Sequence, residues 1–108
     1  MAVSTERQIN SPAPTLSWLW TQRDEIMQLA ERYKASNLRV FGSVARGEAM
    51  PDSDIDLLAT FREGISVLDM VGFWLDLQEL LGHEVSLIAD DIPDEPFMRN
   101  ALEDAVAL

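Results

Sequence analysis

The chain has 108 residues, 47% of them apolar and 25% charged, the composition of one globular domain rather than of a disordered chain. Nineteen acids against eight bases give a formal charge of -11; the bases are scattered, so a nucleic-acid ligand is disfavoured and a basic protein partner is suited. No cysteine is present, which excludes disulfides and thiolate metal sites, and no apolar run approaches the roughly 20 residues that span a bilayer.

MAVSTERQIN lacks the apolar core of a secretory signal, so the expected location is cytoplasmic. Residues 1–14 are polar with Pro12 and Pro14, and are expected to be a loose lead-in to a domain over 15–108. Thr15 or Ser17 caps a predicted helix to about Ala35, with Leu16, Leu19, Trp20, Ile26, Leu29, Ala30 and Tyr33 at helical spacing. Trp18 falls off that stripe and is a candidate for a partner surface. Ser36-Asn37 break the helix, and Leu38-Arg39-Val40-Phe41 read as a strand. Gly42-Ser43 end the strand, and Val44 to Glu48 form a short helical turn. A loop over Met50-Pro51-Asp52-Ser53 precedes a second strand built on Ile55, Leu57, Leu58, Ala59 and Phe61, which Arg62-Glu63-Gly64 turn.

A long helix of about 15 residues follows from Leu68 to Leu81, with Gly82 at its C-cap. Val85-Ser86-Leu87-Ile88 is a third strand. Pro93 and Pro96 open a last helix carrying Met98, Ala101, Leu102 and Ala105. The order α-β-α-β-α-β-α predicts an α/β (α+β) fold, a small mixed three-stranded sheet packed with about four helices. One domain of this size leaves no room for a separate substrate domain, so a partner is expected to complete any active site.

The chemistry concentrates in Phe41-Gly42-Ser43-Val44-Ala45-Arg46-Gly47-Glu48 and, ten residues after Ser43, Asp54-Ile55-Asp56. Gly before Ser at a strand-to-helix junction lets backbone approach a phosphate, and the helix N-terminus behind it offers free N–H groups. Ser43 adds a hydroxyl donor, and Arg46 or Arg39 a full positive charge. Asp54 and Asp56 alternate on a strand, so both carboxylates face one way with Cα atoms roughly 6.5–7 Å apart. Carboxylates that close repel unless a cation sits between them, and their hard oxygens favour Mg2+ or Mn2+, which also bridge to substrate phosphates. Four fixed positions at this spacing arise by chance in roughly one of 10^3 chains of this length.

These residues resemble the G-S-x10-D-x-D signature of the DNA polymerase β-like nucleotidyltransferases. More closely, Phe41 to Glu48 with Ser53-Asp54-Ile55-Asp56-Leu57-Leu58 look like the minimal nucleotidyltransferase (MNT) family, whose members are encoded beside HEPN proteins. The close match covers about residues 38–61. The resemblance implies a polymerase β-like nucleotidyltransferase fold, ATP binding at Gly42, Ser43 and Arg46, magnesium on Asp54 and Asp56, and transfer of AMP to a tyrosine of a HEPN ribonuclease toxin. The toxin is thereby silenced, and the transferase serves as its antitoxin within a hetero-oligomer.

One position departs from the family pattern. A third aspartate is usual on the next strand, where Gly82-His83-Glu84-Val85-Ser86-Leu87 places Ser86 instead. Serine is a poor base and a weak, uncharged ligand, and Glu84, two residues earlier, is the candidate replacement. His83 falls on the opposite alternation and reads as a turn or packing residue. Two further readings therefore stand beside the enzyme: a degenerate fold that neutralises a toxin by contact alone, and nucleotide transfer to a small molecule such as an antibiotic.

Overall fold

Two residues with left-handed backbone, Lys34 at φ 63° and Asn37 at φ 53°, decide how the first half of the chain is laid out. The computed structural model describes residues 12–91 and 96–108. Helix α1, Leu16–Thr21, is capped by Thr15, whose Oγ1 accepts from the Trp18 N–H at 3.1 Å. Gln22 leaves helical geometry and its N–H turns back to the Leu19 carbonyl at 2.9 Å. A second helix, α2, then runs over Arg23–Arg32. The single helix expected to reach Ala35 is thus two helices. Lys34 ends the pair, and Ala35 is already the first residue of strand β1, Ala35–Phe41.

Ser36-Asn37, expected to break a helix, instead lie inside β1, where the pairing with strand β2, Ile55–Phe61, shifts between Ser36 and Arg39. That bulge accommodates the left-handed Asn37. Between the two antiparallel strands lies the five-residue helix α3, Gly42–Arg46. The loop after it is closed by the Met50 N–H donating to Ser53 Oγ at 2.7 Å.

Helix α4, Val67–Leu81, is capped by Ser66, whose hydroxyl accepts from Asp69 N–H at 3.1 Å, and by Gly82 at φ 68°. Strand β3, Val85–Ala89, returns parallel to β2. Helix α5, Pro96–Asp104, leads into strand β4, Val106–Ala107, which pairs antiparallel with β1. The sheet order is β3-β2-β1-β4. The three-stranded sheet and four helices expected from sequence are corrected to four strands and five helices among the described residues. A two-residue strand is too short to leave an alternation, and Ala105, expected on the last helix, lies between α5 and β4. Pro93 falls outside the described residues.

Strand alternation divides the core. Ile55, Leu57 and Ala59 face one way, into a cluster with Leu19, Ile26, Phe73 and Leu77 from the helices. Leu58 faces the other way and meets Phe41, Met98 and Ala101 beneath α5. One face of the sheet is therefore sealed by α1, α2 and α4, and α5 packs on the other. Asp56 shares the second face with Leu58. Among the lead-in residues, Pro14 is buried. Trp18, expected on a partner surface, packs against the main core and sets its ring 5.6 Å from that of His83, edge to face. Trp20, expected in the helical stripe, is exposed beneath Arg23. The break at Gln22 shortens α1 to six residues and takes these two rings out of a common periodicity with α2. No helix among the described residues is long and apolar enough to cross a membrane.

Candidate functional site

The β1–β2 register pairs Phe41 with Asp56, which sets Gly42 beside the Asp56 side chain. Gly42 has φ 73°, and a Cβ built on it would overlap an Asp56 carboxylate oxygen. Glycine is thus required twice here, for the left-handed backbone and for the space that Asp56 occupies. The sequence suggests this glycine for close backbone approach to a phosphate; the structure adds that the Asp56 carboxylate lies where a side chain would stand. On the other side, the parallel β2–β3 register pairs Asp56 with Ser86. Asp54 lies one residue ahead of β2 and is exposed.

The carboxyl of Asp56 is half-buried, and this pushes its pKa above the ordinary Asp range; the negative charge of Asp54 pushes it further. A hydrogen bond from Ser86 and the positive charge of Arg46 pull it partly back. The charge of Asp54 thus bears on Asp56, although Asp54 stands before β2 rather than on the strand with Asp56 as expected; a divalent cation would relieve such repulsion. Among the described residues no three His, Asp or Glu side chains converge into a metal-holding cluster. Two carboxylates still fit magnesium, which takes one or two such ligands and completes its shell with water and substrate phosphate.

Arg46, the last residue of α3, is held between two acids. Its Nε donates to Glu48 at 2.9 Å and its other arm to Asp104 at 2.7 Å, contacts that keep it firmly protonated. Arg46, Gly42, Phe41 and Asp56 line a cleft of about 250 Å³ with Asn100 and Asp104 of α5. Phe97 closes its side, edge to face with Phe41 at 6.1 Å. The α5 contribution was not legible in the sequence, because only the fold brings residues 97–104 onto residues 41–46. Ser43 sits in the first turn of α3, partly buried, and its carbonyl accepts from Glu48 N–H at 2.8 Å. Five residues make a weak helix dipole, so the positive charge at this turn is chiefly that of Arg46.

Arg39, the alternative cation, is elsewhere: its guanidinium pairs with Asp90, which also accepts from Thr60 Oγ1 at 2.6 Å. Glu84 precedes β3 and is exposed, with its carbonyl accepting from the Ile55 N–H at 2.9 Å. It flanks the strand entry, whereas Ser86 meets Asp56 directly. His83 packs against Trp18, the packing role expected of it. A larger hollow of about 540 Å³ lies between α2 and α4, but three acids, Glu25, Asp76 and Glu79, line it against one base, Arg32, a poor setting for a triphosphate.

The general model of the nucleotidyltransferase domain matches residues 26–107, an interval that holds the whole of this cleft. The chain belongs to the nucleotidyltransferase family. A relative in Methanocaldococcus jannaschii, provisionally named a protein adenylyltransferase, is 37% identical over 76 residues, which is 70% of this chain and 78% of that protein. The protein adenylyltransferase MntA of Thermococcus cleftensis is 43% identical over 61 residues, 56% of this chain and 62% of its own length. A solved structure described provisionally as a minimal nucleotidyltransferase superposes with a TM-score of 0.76 at 39% identity, covering 88% of this chain and 97% of the other. A toxin–antitoxin complex crystallised with AMP-PNP contains a chain of the same fold, with a TM-score of 0.67 at 17% identity over 78% of this chain and 69% of that one. The family's nucleotidyltransferase fold is thus the fold of this chain.

Proposed function

We propose that residues 15–108 form a magnesium-dependent transferase that moves AMP from ATP to a tyrosine hydroxyl of a HEPN-type ribonuclease toxin, and so act as its antitoxin in a hetero-oligomer. The observation that carries this reading is the Asp56 carboxylate, fitted against Gly42 and raised in pKa beside Asp54. Relatives named as protein adenylyltransferases and a fold shared with a toxin–antitoxin complex support it.

In this reading Gly42 and Ser43 present N–H and hydroxyl donors to the phosphates, while Arg46 exchanges Asp104 for phosphate oxygen. Asp54 and Asp56 would hold magnesium, which would supply positive charge to the substrate phosphates. The acceptor oxygen bonds to the α-phosphorus, the bond to the bridging oxygen breaks, and pyrophosphate leaves. The hydroxyl proton passes to a carboxylate, for which Glu84 at the strand entry is the proposed base.

A second reading has its own observation. Ser86 stands in register with Asp56, in the place of the third acid, so the fold could neutralise a toxin by contact without transfer. ATP labelled at the α-phosphate separates the two. The transferase reading expects label on the coexpressed toxin, lost when Asp54 and Asp56 are both changed to Asn. Growth rescue with no label in wild type refutes transfer and leaves the contact reading.

A further inference from the structure

We propose that α5 holds the base of the nucleotide, Phe97 packing on the purine ring and Asn100 selecting adenine over guanine, a proposal that rests on the transferase reading for placing a nucleotide in this cleft. Phe97, Asn100, Ala101 and Asp104 line the cleft together with Arg46 and Asp56. Their spacing of three and four residues puts the first four on one face of α5. That face changes character along its length. Asp104, in the last turn, pairs with Arg46 at 2.7 Å, so this end of the row stands at the charged end of the cleft. Phe97, in the first turn, stands seven residues earlier, roughly 10 Å along the helix axis. A separation of that order lies between the base and the middle phosphate of an extended nucleotide.

The two ends call for different chemistry, and a nucleotide supplies both. Phe97 is 56% exposed although it lines a cleft whose other end is charged. A purine ring covers such a phenyl by stacking, which serves any base because each has a π-face. Phe41, itself buried, braces the phenyl edge to face at 6.1 Å, so the base meets a supported platform. Between Phe97 and Asp104, Ala101 contributes only a methyl and is buried, which keeps the middle of the row low where the ribose passes. Asn100 supplies the discrimination. Its amide offers one acceptor and two donors, and adenine presents the matching N6 donor beside the N7 acceptor. Guanine presents two acceptors there, O6 and N7, and would leave the amide oxygen of Asn100 without a donor. Phe97 thus sets affinity and Asn100 sets preference.

The test measures by calorimetry, with magnesium present, the affinity of the full chain for ATP, GTP and inorganic tripolyphosphate, which reads the phosphate end alone. Phe97→Ser and Asn100→Ala alter exposed side chains, and thermal melting confirms that each variant folds. Phe97→Ser should weaken ATP and GTP alike by about tenfold or more, the scale of one stacked base, and leave tripolyphosphate unmoved. Phe97→Tyr keeps a ring and should restore nucleotide affinity. Wild type should favour ATP over GTP by about fivefold or more, and Asn100→Ala should remove that preference. ATP affinity indifferent to Phe97→Ser, a loss shared by tripolyphosphate, or no nucleotide binding at all overturns the proposal. So does the absence of a preference in wild type, or one that survives Asn100→Ala. Transfer lost in Phe97→Ser at unchanged ATP affinity also overturns it, giving the ring to the acceptor instead. Binding needs no transfer, so the two readings fail separately. Affinities that follow both residues without AMP transfer refute only the transferase, and transfer with affinities indifferent to both refutes only the base site.

Discussion

Asp56 is an acid that the fold makes uncomfortable, and its titration exposes this. Because its pKa is raised above the ordinary Asp value of 3.8, the folded chain holds that proton more tightly than the unfolded chain. Its contribution to stability is fully present below the ordinary value and is lost as pH rises through the raised one. At neutral pH the ionised carboxylate therefore opposes folding. Asp56→Asn should raise the thermal midpoint of the metal-free protein at pH 7, and the gain should shrink as pH falls toward the ordinary Asp range. Magnesium should raise the midpoint of wild type and leave the variant nearly unmoved. A lower midpoint for the variant at pH 7 would contradict this account. The same substitution should cut AMP transfer by about 100-fold or more, the scale on which a lost electrostatic stabiliser acts.

Gly42 and Ser86 set further residue-scale expectations. Gly42→Ala adds a methyl where the Asp56 carboxylate lies and strains a left-handed backbone. A loss of about 1–3 kcal/mol in unfolding free energy should follow, with transfer lost in parallel. Ser86→Asp should raise transfer, within the 10^2–10^4-fold range of a positioned base, while lowering the metal-free thermal midpoint by adding a third charge. Unchanged transfer, together with no effect of Glu84→Gln, would show that neither residue takes the proton.

At the scale of elements, the Gly42-Ser43 turn, β2 and α4 were legible in the sequence because each carries a complete local signal. Leu68 to Leu81 is periodic and ends in glycine; Ile55 to Phe61 alternates; Gly42 marks the strand-to-helix turn. The misread elements were those decided by tertiary partners. Asn37 looks like a helix breaker until β2 pairs around it as a bulge, and β4 exists only because Leu38 and Val40 stand ready to receive it. The contribution of Asp104 to the cleft was invisible for the same reason. Gly72 is a related case: a Cβ there would lie 2.9 Å from the Tyr33 ring, which is fixed by a 2.6 Å hydrogen bond from its hydroxyl to Asp76. Gly72→Ala gains about 0.8–1 kcal/mol of helix propensity but overpacks a site where such insertions cost about 1–3 kcal/mol. A net fall in urea midpoint is expected, and a rise would show that α2 and α4 can separate without loss.

Over the whole molecule, one sheet face is sealed by three helices, and the other, under α5, carries Asp56. This division lets a chain of 108 residues keep a core and still offer chemistry at its surface. The direct test of that chemistry is incorporation of label into the copurified partner from ATP labelled at the α- or the γ-phosphate. A transferase puts α-label on the partner and no γ-label, and Asp54→Asn/Asp56→Asn loses the α-label. Gamma-label on the partner, or α-label undiminished in the double variant, would contradict it.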